Sequence, residues 1–171
     1  MADTLKTLKC PACGCEMEKV FIPSAGINLD ICTAGCGGIY FDNREFENFD
    51  EKDEDISKII EKISGKNFAD VDESATRFCP NCGAKMLKNH SSVSQKIEVD
   101  DCYSCGGKFL DRGELLKIRD EYDTVEERDE DILRYVYKEV GQELAETDKR
   151  YSKSISNRSK LQSLFYKIIG Q

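Results

Sequence analysis

Three features of the sequence predict a small α+β protein held together by metal, in which two cysteine-ended β-hairpins are each followed by an α-helix. Cysteines come in close pairs, the pairs recur at a fixed interval along the chain, and apolar residues at helical spacing follow each recurrence. A third helix, basic and amphipathic, is expected at the C-terminus.

Composition agrees with small stapled modules. The chain has 171 residues, a formal net charge of −8, 34% charged residues and no Trp. Its apolar residues fall in short clusters, so one large continuous core is not expected. Residues 1–9 hold no apolar run long enough for a signal peptide, which makes the reducing cytoplasm the expected compartment. There, cysteines bind metal rather than form disulfides, and the chain has nine. No run of about 18 apolar residues offers a membrane span.

The first module opens with Cys10-Pro-Ala-Cys13-Gly and closes with Cys32-Thr-Ala-Gly-Cys36-Gly-Gly. The second opens with Cys79-Pro-Asn-Cys82-Gly and closes with Cys102-Tyr-Ser-Cys105-Gly-Gly, with 19 residues between its pairs. A Cys-x-x-Cys pair followed by Gly lets the backbone curl tightly, so that both sulfurs face one ion and backbone N–H groups turn toward the thiolates. The intervening length suits a hairpin that returns the chain to the first pair, the arrangement called a zinc ribbon. The expected ligands are Cys10, Cys13, Cys32 and Cys36 for one Zn²⁺ and Cys79, Cys82, Cys102 and Cys105 for a second. A reduced dithiol or a disulfide pair is the bland alternative. Iron in a rubredoxin-like site is another, which a red colour would betray.

The two modules are a duplication. Cys10, Cys13, Met17 and Cys36 recur as Cys79, Cys82, Met86 and Cys105 at a constant offset of 69. Cys32 to Cys102 is offset by 70, because the first module carries an extra residue in its second turn. Cys15 falls opposite Ala84 and reads as a spare thiol, with replacement of Cys13 or Cys10 as the alternative.

Within the first hairpin, Val20, Phe21 and Ile22, then Ile27, Leu29 and Ile31, flank a Pro-Ser-Ala-Gly turn. The second copy is more polar and alternates through Ile97 and Val99. His90 lies in it, and four cysteines already satisfy the ion, so a solvent-facing imidazole is expected.

After the last cysteine both copies run through Gly-Gly into Ile39-Tyr40-Phe41-Asp42-Asn-Arg-Glu45-Phe46 and Lys108-Phe109-Leu110-Asp111-Arg-Gly-Glu114-Leu115. An Asp followed three residues later by Glu predicts a capped helix start. These knuckles, with the Cys-x-x-Cys-Gly-Gly turn and the Asp111-to-Leu115 ending, resemble the bacterial transcription-factor zinc-finger family, the TFIIB-type zinc ribbons. The resemblance is close over 79–118 and looser over 10–49, where Asp42-Asn-Arg-Glu-Phe46 departs from the usual Asp-x-Gly-Glu-Leu. It implies zinc and a ribbon fold, and by itself no activity.

The duplication continues past the ribbons. Glu51-Lys-Asp-Glu-Asp-Ile56 recurs as Glu127-Arg-Asp-Glu-Asp-Ile132, and Gly65 as Gly141, at an offset of 76, which is one heptad more. Ile56, Ile59, Ile60 and Ile63 form the apolar stripe of the first helix, ended by Gly65. Thr124 and Glu127 make a capping box for the second, whose face continues through Ile132, Leu133, Val136, Tyr137, Val140 and Leu144. These helices are expected to pack on the ribbons and on each other, with an open face for a partner helix as the alternative. The domains so read are 1–66, a linker at 67–77, 78–148, and the tail 149–171.

The tail holds Lys149, Arg150, Lys153, Arg158, Lys160 and Lys167 and no acidic residue. Leu161, Leu164, Phe165, Ile168 and Ile169 form a helical stripe that Gly170 stops. Such a helix suits folding back on the acidic body, self-association, partner binding or a membrane surface.

Function follows by elimination. A closed four-thiolate sphere leaves zinc no open position. No Gly-rich phosphate loop or nucleophile elbow occurs, and there is one histidine. Catalysis is therefore not expected. The leading expectation is a structural zinc module acting as a regulatory adaptor through a protein partner. The alternative is nucleic-acid binding in transcription, through the basic tail and Lys85, Lys88, Lys96, Lys108 and Arg112, against which the overall acidity stands.

Overall fold

The structure, a computed structural model, describes residues 6–169, excepting the side chains of Leu144, Ile155, Arg158, Ser159 and residues 161–169. The predicted stripe from Leu161 to Ile169 and its stop at Gly170 therefore lie outside the described residues. The elements are β1 Glu18–Ile22, β2 Ile27–Ile31, β3 Ile39–Phe41, α1 Ser57–Ile63, β4 Leu87–His90, β5 Glu98–Asp101, β6 Lys108–Leu110, α2 Glu114–Arg119 and α3 Val125–Ile169. Contacts divide the chain after Glu127 into two units, the second consisting of the continuing helix α3.

In the first unit each module folds into three antiparallel strands, and the two triplets join edge to edge. The sheet order is β1-β2-β3-β6-β5-β4. At the seam Ile39 lies opposite Leu110, Tyr40 opposite Phe109 and Phe41 opposite Lys108, all antiparallel. Tyr40 and Phe109 are equivalent residues of the duplication, so the seam relates the two ribbons as a two-fold axis would. Pairing in this way also covers an edge that each three-stranded ribbon would otherwise leave open.

The alternation of strand residues sorts the side chains onto two faces. Ile39, Phe41 and Leu110 join Val20, Leu29, Ile31 and Val99 in one apolar cluster, closed by Phe49, by Ile59 of α1 and by Leu115 of α2. Tyr40 and Phe109 face the other way, among Leu8, Met17, Met86 and the cysteines. One continuous core thus spans both modules, where the composition predicted none. The reason is the β3–β6 pairing, which sums two small apolar faces into one.

Several other expectations change. The supposed linker 67–77 is fixed to the ribbons: the Ala69 N–H donates to Gly35 O at 3.0 Å, the Phe68 ring packs over Gly37, and Arg77 is buried. The division into 1–66, 67–77, 78–148 and 149–171 therefore does not describe the packing. A single helix, α3, runs through the expected boundary at 148/149. The first ribbon also ends in a short 3-10 turn, Phe46–Asn48, where the sequence predicted a capped helix. In both copies the Glu carboxylate does reach back: Glu45 accepts from the Asp42 N–H at 2.8 Å and Glu114 from the Asp111 N–H at 2.7 Å. The aspartate side chains do not complete the box, because Asp111 turns inward to Arg77 and Asp42 accepts from Asn81 Nδ2 at 3.0 Å. Two residues after the aspartate the copies share a left-handed backbone and differ in residue: Gly113 adopts φ 85° at the start of α2, and its equivalent Arg44 adopts φ 68°.

α1 buries Ile59, and Ile56 and Ile63 pack against the core, as their spacing predicts. The Thr124 hydroxyl accepts the Glu127 N–H at 3.2 Å, and Glu127 reaches back to the Asp123 N–H at 2.9 Å. Ile132, Leu133, Val136, Tyr137 and Val140 of α3, predicted to pack away, are all exposed.

Candidate metal centres

Each site is built from two turns, and corresponding turns of the two modules close with the same hydrogen bonds. In the first knuckles Gly14 N–H donates to Cys10 O at 2.9 Å and Gly83 N–H to Cys79 O at 2.8 Å. Both glycines sit at φ 76°, in the left-handed region where a side chain is disfavoured. Backbone N–H groups within these turns face the sulfurs. The Ala84 N–H is the first cause that lowers the Cys82 thiol to about 7, toward the thiolate that a metal requires.

The turns bring the eight predicted cysteines into two groups. The sulfurs of Cys10, Cys13, Cys32 and Cys36 all lie within 4.8 Å of one another, and so do those of Cys79, Cys82, Cys102 and Cys105. Nearest approaches are 3.4 Å for Cys10–Cys36 and Cys13–Cys32, 3.5 Å for Cys79–Cys105 and 3.4 Å for Cys82–Cys102. A disulfide requires about 2.05 Å. A tetrahedron with Zn–S bonds of about 2.3 Å has edges of about 3.8 Å, close to these separations. Four thiolates in a tetrahedral cluster fit one zinc ion per ribbon, two per chain.

The extra residue of the first module is absorbed locally. Gly37 N–H bonds back five residues to Cys32 O at 3.0 Å, whereas Gly106 N–H bonds back four residues to Cys102 O at 2.8 Å. Room for the wider turn comes from Gly35, where a Cβ would sit 2.6 Å from Cys13 Sγ and 2.9 Å from the sulfurs of both Cys15 and Cys32. Cys15 therefore lies beside the first site, half-buried and outside its group of four. His90 is exposed on β4, paired across the sheet with Glu98.

The seam couples the two centres. A Cβ at Gly107 would fall 2.0 Å from Tyr40 Oη, and one at Gly38 would fall 2.4 Å from Phe109 Cζ. Each ribbon's aromatic ring thus occupies the space above the other ribbon's second glycine. That accounts for Gly-Gly after the last cysteine: the first glycine takes φ 79° or 80°, and the second admits a ring. The Tyr40 hydroxyl then lies 3.3 Å from Cys79 Sγ and 3.8 Å from Cys105 Sγ. Burial, followed by these thiols, pushes its pKa far above the ordinary phenol range, so it remains a donor to the second site. Phe109 carries no such group toward the first.

Other residues of the site left no trace in the sequence reading. Arg77 replaces the apolar Leu8 of the first copy, is 2% exposed, and donates to Asp100 at 2.7 Å and Asp111 at 2.8 Å beneath the Phe109 ring. Arg119 bonds the carbonyls of Phe49, Lys52 and Glu54 at 2.8, 2.9 and 2.8 Å, tying α2 to the loop after the first ribbon. Carboxylates of Glu73, Asp111 and Glu114 also converge within 4.8 Å. There, Asp111 is engaged with Arg77 and Glu114 with the Asp111 N–H, and burial raises Glu114 to about 7.

Among the described residues no helix is long and apolar enough to cross a membrane. The family described as Transcription factor zinc-finger, the TFIIB-type zinc ribbon, matches residues 9–51 and again 78–121. No curated protein and no solved structure matches the chain.

Proposed function

Since the chain belongs to the transcription factor zinc-finger family through two copies of its ribbon, we propose that it is a non-catalytic regulatory adaptor. The zinc ions build a rigid body, and α3 offers its apolar stripe to a protein partner. Four thiolates complete each ion's coordination, which suits a structural metal and leaves no place for a substrate. Structural zinc is worth about 10 to 16 kcal/mol of folding free energy, enough to hold ribbons of this size.

The exposed stripe on α3 carries the proposal. Leu133 is 54% and Tyr137 75% exposed, beside Ile132, Val136 and Val140 on the same helix. Large apolar side chains so grouped on one surface are what a protein contact buries. The test is cross-linking of the zinc-loaded chain to partners in extract, compared with a Leu133→Asp/Val136→Asp variant of equal zinc content. Loss of specific cross-links in the variant supports the adaptor. Identical cross-links overturn it.

Nucleic-acid binding is the second reading, favoured by the six basic residues of 149–169. The second ribbon lends it less than its lysines suggest. Lys88 is paired with Asp100, Lys108 with Asp101 and Arg112 with Asp70. A salt-sensitive mobility shift with DNA or RNA, abolished by deleting 149–171, would prefer this reading.

A further inference from the structure

We propose that the partner of α3 is α3 of a second copy of this chain, laid antiparallel along it. The inference rests on the reading of α3 as a protein-contact face, and it names the occupant. Val125–Ile169 is a continuous 45-residue helix, about 68 Å long at about 1.5 Å per residue. A helix of that length is held by packing of an apolar face rather than by propensity. Leu133, Tyr137 and Val140 are exposed on it at successive four- and three-residue steps, and Tyr151, also exposed, stands eleven residues further on in the same heptad register. In the sequence the same steps pass through Leu144, Thr147, Tyr151, Ser154 and Arg158 to Leu161, Phe165 and Ile168, so the register is apolar toward both ends and polar near its middle.

Charge selects both the partner and its direction. Residues 125–148 contain nine acidic and three basic residues, a net −6, and residues 149–169 contain six basic and no acidic ones, a net +6. Two copies side by side in the same direction would set −6 against −6 and +6 against +6. Reversing one copy sets each acidic half along a basic half, so one sequence is complementary to itself in the antiparallel sense. Flanking charges of this kind fix orientation in paired helices.

Sedimentation of the zinc-loaded full chain tests this, with zinc content and helical circular dichroism as controls on folding. A dimer is expected at about 50 mM salt, weakening at about 500 mM as the charges are screened. Lys149→Glu/Arg150→Glu/Lys153→Glu should raise the dimer dissociation constant at least tenfold. Adding Glu139→Lys/Glu143→Lys/Glu146→Lys to that same chain swaps the signs on the two sides of the 148/149 boundary, which an antiparallel pair brings against each other, and should restore the dimer. A monomeric wild-type chain overturns the proposal, as does a dimer indifferent to the triple reversal or a six-residue exchange that fails to restore pairing. A monomer whose stripe still captures another protein would overturn self-pairing and leave the adaptor reading standing. Loss of both would overturn the two together.

Discussion

Tyr40→Phe should loosen the second zinc site and spare the first. The substitution removes one buried oxygen and keeps the ring that fills the space over Gly107, so packing across the β3–β6 seam is retained. Lost is a donor 3.3 Å from Cys79 Sγ and 3.8 Å from Cys105 Sγ. With zinc bound, four thiolates carry more negative charge than the ion neutralises, and each donor shares part of the excess. A hydrogen bond to a charged group contributes about 1.5 to 3 kcal/mol, and loss of a group supporting a ligand typically lowers metal affinity about 10- to 100-fold.

Zinc transfer to a chromophoric chelator should accordingly show one phase accelerated about tenfold or more, with Cys79 and Cys105 becoming open to alkylation before Cys10 and Cys36. The reciprocal variant, Phe109→Tyr, carries a hydroxyl toward the equivalent sulfurs of Cys10 and Cys36 and should slow release from the first site. Release from Tyr40→Phe that superimposes on wild type, or that speeds both sites equally, would refute the assignment of this hydroxyl to the second centre.

Removing zinc with a strong chelator should unfold both ribbons in one cooperative step, since their apolar cluster is shared; two well-separated losses of β-structure by circular dichroism would contradict the common core. Cys15→Ser should leave two zinc ions per chain by elemental analysis, because the sulfur lies outside the first group of four. Arg44→Gly should stabilise the chain by about 1 kcal/mol in urea unfolding, by relieving the left-handed backbone that Gly113 adopts freely in the second copy. Glu114, raised to about 7 by burial, is bound to its proton more tightly in the folded than in the unfolded chain, so its contribution is full at low pH and is lost as pH rises toward 7. With zinc kept saturating, Glu114→Gln should gain stability relative to wild type between pH 5 and pH 8 in urea titrations; a constant difference across that range would count against it.

The cysteine clusters were legible because their determinants are local: a glycine directly after the second cysteine of each knuckle, and a hairpin of nearly equal length between knuckles in both copies. The joining of the ribbons was not, since the pairing of Tyr40 with Phe109 is a contact between distant strands that no periodicity announces. Its one local mark was the second glycine of each Gly-Gly, whose missing side chain makes room for a ring from the other copy. Arg77 escaped notice for a similar reason, standing at the end of an aperiodic stretch with its carboxylate partners 23 and 34 residues away. The Asp-x-x-Glu pattern misled at Asp42 because one spacing serves both a helix start and a 3-10 turn. Both copies take the left-handed conformation at the residue before the glutamate, Arg44 and Gly113, and diverge only afterwards, into the 3-10 turn and α2.

Two identical ribbons joined about a two-fold axis would hold equivalent ions, and here some of the departures from identity fall where the metals and the seam meet. Leu8 faces Arg77 in the alignment, Tyr40 faces Phe109, and Gly35 has no counterpart. The dependence between the centres is consequently directional. The second site draws a hydrogen-bond donor from the first ribbon, while the first site receives from the second the packing of Phe109 over Gly38. A second ribbon separated from the first would keep all four of its thiolates and still lose the Tyr40 hydroxyl, the strand pairing at β6 and the cover of Asn43, whose side chain lies over Gly106. Duplication has thereby turned a motif that could bind zinc alone into one whose two halves complete each other, with the metal of the later copy held partly by the earlier.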